Sequence, residues 1–269
     1  MRIGIFKREL EPDNMRLWHQ LTALLQAHGV EVRDVSGNNW SSDVDFLISV
    51  GGDGTMLNAV HAIGSSGIPV VGLNFGHLGF LTSAGRDHLE EFVNEVVNGN
   101  YTIEERSLLD VLCQPANDSP IHTSYALNEV YVHRTEHPSL LTTSLYVNDE
   151  FVANYVADGL IVATPTGSTA YSLSCGGPIL TPTSNCFSIT PIAAHTFTLR
   201  PMIVPDTVKL RLVSRSREQR FCLGVDSRSL SLPNESEITL RRAPFTIRLV
   251  RMQGQSFYTA IHEKLSWGK

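Results

Sequence analysis

Val44–Thr55 reads VDFLISVGGDGT, an apolar run that ends on two glycines, a carboxylate and a further glycine. Val44–Val50 has the β-branched and aromatic content of a strand buried on both faces, as in a parallel sheet. Gly51-Gly52 stops it, and a helical pattern opens behind. Glycines at a strand-to-helix junction let the backbone turn sharply and approach an anion closely, with N–H groups at the helix start facing it. Asp53 then stands at the C-terminal end of a parallel strand, where α/β proteins place ligands. Gly-Gly and Asp-Gly are also ordinary turn dipeptides, so this stretch alone leaves an anion site and a plain turn equally open.

On either side the same alternation continues. Arg2–Lys7 is a short apolar strand, and Leu17, Leu21, Leu24 and Leu25 recur at helical spacing up to Gly29, a C-cap. Ile68–Leu73 is a second buried strand leading into Asn74-Phe75-Gly76. Leu89, Phe92, Val93, Val96 and Val97 line one helix face, closed by Asn98-Gly99. Strands alternating with helices predict a parallel sheet with helices on its faces. From Tyr101 to Arg251 short alternating runs take over, such as Leu141–Val147, the turn Asn148-Asp149, then Phe151–Val156. That is the patterning of an all-β sandwich. Phe257–Trp267 is helical again and is expected to pack on the first domain. The expected domains are therefore 1–100 with 252–269, α/β, and 101–251, all-β.

With 269 residues, 42% apolar and 18% charged, the chain can bury a sizeable core. Apolar stretches such as Leu160–Ala163 are short against the roughly 20 residues of a membrane span, and MRIGIFKREL reads as a strand rather than a signal peptide. A cytoplasmic protein with no membrane partner is expected. Cys113, Cys175, Cys186 and Cys222 are scattered, which fits reduced structural thiols and gives no zinc spacing. Net charge is −6, yet ten Lys/Arg face five Asp/Glu between Pro205 and Arg251. Lys209, Arg211, Arg215 and Arg217 fall at strand-like intervals, so the solvated side of a sheet explains them better than a nucleic-acid surface does.

Three further segments carry chemistry. NFGHLGFL (74–81) follows a strand but lacks the spacing of a dinucleotide fingerprint; with Gly51-Gly52 it suggests one crevice, in which His77 is a donor or a structural loop residue. ATPTGSTAYSLSCGGP (163–178), preceded by Asp158-Gly159, holds more glycine and hydroxyl residues than a turn requires. Its Tyr171 offers a flat face to a base or nicotinamide ring. In Leu127-Asn128-Glu129 an amide and a carboxylate suit sugar hydroxyls.

GGDGT, NFGHLGF, LNE and DG…TPTGSTAY…S…GGP stand in the order and spacing of the NAD kinases, and the resemblance runs from Val44 to Pro201. GGDG alone is shared with phosphofructokinases and diacylglycerol-type lipid kinases; TPTGSTAY together with LNE is specific to the NAD kinases. The resemblance implies transfer of a phosphoryl group from ATP, or in some members polyphosphate or another nucleotide, to the 2′-hydroxyl of the adenosine ribose of NAD. It also implies a divalent cation, Mg²⁺, carried with ATP rather than held in a protein cage, and a homo-oligomer, dimer or tetramer. By motif match Asp53 is the proton acceptor with Gly54 beside it. Asn128 and Glu129 hold the ribose hydroxyls. Phe80, Thr169, Ala170 and Tyr171 line the adenine side, and Asp158, Ser174 and Ala193 the nicotinamide half. Glu129, taken as an anion, would weaken binding of the phosphorylated product. The chain departs from the family at Val156, where a basic residue is common, at His61, where Arg is common, and at Arg228, where Gln is frequent. A GGDGT-type lipid kinase, a sugar-phosphate kinase and a catalytically silent NAD-binding regulator are the alternatives that the motifs leave.

Overall fold

The computed structural model describes residues 1–8, 12–75, 79–85, 88–116, 119–135 and 140–268; His77 lies outside them. The chain divides into two units, Met1–Arg106 with Thr246–Lys269, and Ser107–Phe245.

The first unit runs β1 (Arg2–Lys7), α1 (Pro12–Ala27), β2 (Glu31–Asp34), β3 (Phe46–Val50), α2 (Asp53–Ile63), β4 (Val70–Asn74), β5 (Ala84–Gly85), α3 (Leu89–Asn98) and β6 (Tyr101–Arg106). The second runs β7 (Leu109–Gln114), β8 (Ile121–Ala126), β9 (Glu129–His133), β10 (Leu141–Val147), β11 (Glu150–Ala157), β12 (Gly159–Ala163), the short helix α4 (Tyr171–Ser174), β13 (Cys186–Ile192), β14 (Met202–Pro205), β15 (Leu210–Ser216), β16 (Arg220–Val225), β17 (Arg228–Pro233) and β18 (Glu237–Arg242). The chain then returns to the first unit as β19 (Ile247–Met252) and α5 (Phe257–Leu265).

Among the described residues the first unit holds one sheet, ordered β2-β1-β3-β4-β19-β6, with β5 on β4. Its strands are parallel except β6, which pairs antiparallel with β19. Alternation along the strands sorts the two faces. Phe46, Ile48, Val50, Val71 and Leu73 join Leu21 and Leu25 of α1 and Phe92, Val93 and Val96 of α3 in one buried cluster. Gly72 points to the opposite face, where Met56 of α2 covers it. Both glycine caps are left-handed, Gly29 at φ 73° and Gly99 at φ 72°.

The second unit is a sandwich of two antiparallel sheets, β11-β10-β15-β18-β7-β8 and β14-β13-β12-β9-β16-β17. Leu109, Leu145, Leu212 and Ile238 of one sheet meet Val130, Leu160, Phe187 and Phe221 of the other in a shared core. The α/β and all-β patterns of the sequence thus correspond to the architecture. Several of the basic residues between Pro205 and Arg251 are in ion pairs: Lys209 with Asp149 at 2.7 Å, Arg211 with Glu237 at 3.4 Å and Arg242 with Asp206 at 2.8 Å. All four cysteines are free thiols.

The boundaries differ from the change of texture at 101 and 252. Ile247–Met252 pairs with Tyr101–Arg106 and with Val70, so both strands extend the first sheet. Their alternation resembles that of the sandwich strands, and only the pairing assigns them.

Gly72, in β4, sets how closely the 81–83 segment that leads into β5 can approach. A Cβ there would stand 2.8 Å from Thr82 Cα and 2.9 Å from the Leu81 carbonyl oxygen, both backbone atoms. Ser83 N–H also bonds the Gly72 carbonyl at 2.7 Å. Gly72→Ala is therefore expected to destabilise the protein by about 1–3 kcal/mol through overpacking. Urea unfolding of the purified variant measures this, and an unchanged midpoint would show that the 81–83 segment yields freely.

Candidate active site

In the first unit the sheet delivers a carboxylate into a bend of backbone. Gly51 continues β3, its N–H bonded to the Leu73 carbonyl at 2.8 Å, and then turns at φ 144°. That conformation is strained for any L side chain, and a Cβ would also collide with Thr55. Asp53 opens α2, where a negative charge suits the helix dipole. Its Oδ2 accepts the Phe80 N–H at 2.8 Å and its Oδ1 the Leu81 N–H at 3.1 Å. Gly79 has no side chain that would overlap this carboxylate. Gly79 N–H bonds Thr82 Oγ1 at 2.6 Å, which closes the loop. Asp53, Gly54 and Phe80 are thus neighbours on one turn-and-loop frame.

In the second unit the same device appears at larger scale. The Asp226 carboxylate accepts the N–H groups of Leu127 (2.8 Å), Asn128 (2.9 Å) and Glu129 (3.2 Å). Asp226 N–H returns a bond to the Glu129 carbonyl at 3.0 Å. The 127–129 turn is tied equally to the 164–169 segment. Thr164 Oγ1 donates to the Leu127 carbonyl at 2.5 Å and accepts from Gly167 N–H at 3.1 Å, while Thr164 N–H donates to the Asn128 carbonyl at 2.9 Å. Thr169 and Ala170 turn the chain into α4, and the Tyr171 backbone N–H donates to the Glu129 carboxylate. Asn128, Glu129, Thr169, Ala170 and Tyr171 are therefore one assembly.

Tyr171 packs edge-on against Tyr131, ring centroids 5.6 Å apart, over Ile161 and Ile192. Both tyrosines line an open groove of about 620 Å³ with His133, Arg134 and Cys222. Arg134 Nε donates to Asp158 at 2.9 Å, and burial, then Cys175, Tyr131 and Asp158 in that order, raise the Tyr171 phenol pKa. Asp158 N–H bonds the Ile192 carbonyl, next to Ala193 with its left-handed φ of 46°. Ser174 is exposed at the end of α4.

Burial sets the charges here. Glu129 is 7% exposed, and its Oε2 has no hydrogen-bond partner among the described residues. Burial, then the neighbouring Asp226, pushes its pKa up to about 8. Burial also raises Asp226, but three backbone N–H groups and the Arg228 guanidinium oppose it. The pair therefore keeps its negative charge on Asp226 and its proton on Glu129. Burial thus favours the protonated, donating form of Glu129 over the anion that the motif match implies. Arg228, one of the family departures, donates to Ser124 Oγ at 2.6 Å and to the Tyr125 carbonyl at 3.1 Å. Asp226, Tyr131 and Arg134 are absent from the sequence-derived set. Tyr131 was within reach, since Val130 and Val132 face the core and alternation turns Tyr131 and His133 the other way.

A parallel sheet ending in a glycine turn that presents a carboxylate, with a β-sandwich bearing a braced polar turn, is the equipment of a nucleotide-directed phosphotransferase. A family model described as the ATP-NAD kinase N-terminal domain matches residues 5–101, and one described as the ATP-NAD kinase C-terminal domain matches residues 127–252. The NAD kinase of Flavobacterium johnsoniae is 42% identical over 234 residues, 87% of this chain and 80% of that protein. That of Christiangramia forsetii is 35% identical over 292 residues, 100% of this chain and 99% of the relative. Among solved structures, yeast NADH kinase complexed with NADH superimposes with a TM-score of 0.89 at 25% identity, covering 100% of this chain and 88% of that one. An NAD kinase from Archaeoglobus fulgidus in complex with ATP gives 0.81 at 25% identity, covering 99% of each. The chain belongs to the NAD kinase family, and its activity is that of a kinase.

The proton on Glu129 has a measurable consequence. Between the ordinary carboxyl value of 4.5 and about 8 the folded protein keeps a proton that the unfolded chain releases. Its stability contribution is therefore full below the former and is lost as pH rises through the latter. Glu129→Gln should match the wild type in melting temperature at acidic pH and exceed it on the alkaline side, by roughly a few kcal/mol at most. Parallel melting curves across that range would show that no proton is held at Glu129.

Proposed function

We propose that Asp53 serves the acceptor hydroxyl in the transfer of the γ-phosphoryl group of ATP to the 2′-hydroxyl of the adenosine ribose of NAD. The observation that carries this is the hold on its carboxylate: each oxygen accepts one backbone N–H, at 2.8 and 3.1 Å, at the C-terminal end of a parallel strand. A carboxylate so fixed can orient an incoming hydroxyl without moving. The ribose oxygen bonds to phosphorus, the bond from phosphorus to the bridging β-phosphate oxygen breaks, and ADP departs with that electron pair. The hydroxyl proton passes to Asp53. Because the transition state of such transfers is loose, positioning weighs more than base strength.

Asn128 and Glu129 are the ribose-holding pair in this reading, with Glu129 donating as an acid. Phe80, Thr169, Ala170 and Tyr171 are assigned to the adenine, and Asp158, Ser174 and Ala193 to the nicotinamide half. Gly54 leaves the helix start open, with nothing within 4 Å of where its Cβ would be. A divalent cation, Mg²⁺, would be held mainly by the ATP phosphates, where it neutralises their oxygens. Among the described residues no three His, Cys, Asp or Glu side chains are grouped to bind a metal. No helix among the described residues is long and apolar enough to cross a membrane. The cytoplasmic location rests on the short apolar stretches and the strand-like N-terminal sequence, and the homo-oligomer on the family resemblance.

Asp53→Asn should keep the fold and much of the NAD binding while turnover falls by about 10²–10⁴-fold. A coupled assay for NADP formed from NAD and ATP reads this, and near-wild-type turnover would remove Asp53 from the chemistry. The same assay separates an NAD kinase from a lipid kinase or a silent NAD binder. Tyr171→Ala should raise the KM for NAD more than it lowers kcat, since a ring contact of about 0.5–1.5 kcal/mol acts equally in ground and transition states. A KM that stays put would confine Tyr171 to packing on Tyr131.

A further inference from the structure

The loop that holds Asp53 is itself held by two cations from the end of the chain. Phe80, which gives its N–H to Asp53, has its carbonyl oxygen engaged by both terminal nitrogens of Arg251, at 3.4 and 3.3 Å. Arg251 lies on β19 and is anchored by Glu104 at 3.2 Å. The Phe80 ring is covered by Lys264, in the last turn of α5, whose ammonium nitrogen stands 4.8 Å from the ring centroid. Thr82, Arg251, Glu263 and Lys264 line a cavity of about 210 Å³. Lys264 is half-buried; burial lowers its pKa, Asp53 raises it, Arg251 lowers it and Glu263 raises it. Arg251, Glu263 and Lys264, all near Asp53's loop, thus come from residues 251–264, a segment to which the reaction so far assigns no part.

We propose that Lys264 is a positioning residue for phosphoryl transfer: its ammonium pins the Phe80 ring, and through Phe80 it fixes the N–H groups that hold the Asp53 carboxylate. This rests on the reading of Asp53 as the group that serves the acceptor hydroxyl. A cation over an aromatic face is an attraction that a neutral side chain of similar length cannot supply. Loss of that contact frees Phe80 to swing on its backbone, and Asp53 Oδ2 moves with the N–H it accepts. Displacements of about 1 Å at a reacting group are costly in rate, so a fault this far from the phosphorus is felt in turnover. The charged groups facing Lys264 are Asp53 from α2, Arg251 from β19 and Glu263 from its own helix. Among side chains of these types the ammonium is the one that ordinarily titrates on the alkaline side of neutral.

The test is steady-state kinetics of Lys264→Met and Lys264→Arg against the wild type, from about pH 6 to about pH 10. Lys264→Met should lower kcat about tenfold, with the KM for ATP within about twofold and the KM for NAD, which Phe80 also serves, changed less than kcat. Lys264→Arg should restore most of kcat. Wild-type kcat should decline on the alkaline side as Lys264 loses its proton, at a pH below the ordinary lysine range. That limb should move to higher pH in Lys264→Arg and be absent from Lys264→Met. If Lys264→Met does not fold, judged by its circular dichroism and melting temperature, the displacement of the limb in Lys264→Arg decides alone. Three results overturn the proposal: unchanged kcat in folded Lys264→Met, equal losses in Met and Arg variants, or an alkaline limb that Lys264→Arg leaves in place. If Asp53→Asn is inactive while Lys264→Met is not slowed, Lys264 alone is dismissed; an active Asp53→Asn dismisses the reading beneath it.

Discussion

Three successive backbone N–H groups at residues 127–129 converge on one part-buried carboxylate, and much of the second unit is arranged around that fact. A strand alternates the direction of its N–H groups, so three that converge cannot all be served by a neighbouring strand. Asp226 accepts them, and each such charge-assisted bond is worth about 1.5–3 kcal/mol. Thr164 then takes the Leu127 carbonyl, which seats the 164–169 segment and brings the Tyr171 N–H to Glu129. The first unit uses a smaller form of the same solution, with Asp53 accepting two consecutive N–H groups from 80 and 81. In one case the carboxylate braces a turn of the sandwich; in the other it stands part-buried at the start of α2.

Holding Asp226 in this way also decides what its neighbour can be. Two carboxyls in a shared low-dielectric space cannot both ionise cheaply, and the donors are distributed unequally between them. Asp226 has three backbone N–H groups and Arg228 nearby; Glu129 has one N–H and an oxygen without a partner. Arg228, where the family often has Gln, is thus tied into the scheme: it faces Asp226 and fastens Ser124 and the Tyr125 carbonyl of β8. Nothing in the structure gives Val156 a comparable part; its carbonyl accepts the His195 N–H in an ordinary strand-end contact.

What the sequence disclosed follows from how local the signals are. VDFLISVGGDGT announces a buried strand, a left-handed or otherwise glycine-only turn and a helix within a dozen residues, and those elements form as read. Asn148-Asp149 behaves as a hairpin turn, both residues at positive φ. Asp226 was hidden because its partners are 97 to 99 residues away and its own setting is a plain hairpin turn. Lys264 is hidden for the same reason, in a helix whose contact with Phe80 no periodicity encodes. The placement of β6 and β19 depends on pairing across the whole second unit, and an alternating pattern is blind to its partner.

The position of β19 in its sheet constrains how the chain can be made. It sits between β4 and β6, so the first unit lacks an interior strand until synthesis has passed Met252. During the interval the ribosome must deliver the entire sandwich while β4 and β6 each present an open, hydrogen-bond-hungry edge to the surroundings. The sandwich can close on its own contacts as a continuous segment, Ser107–Phe245. The N-terminal segment, although translated first, lacks the strand that joins β4 to β6. Maturation therefore runs against the order of translation, and a nascent chain stalled before its last twenty or so residues is a natural client for a chaperone.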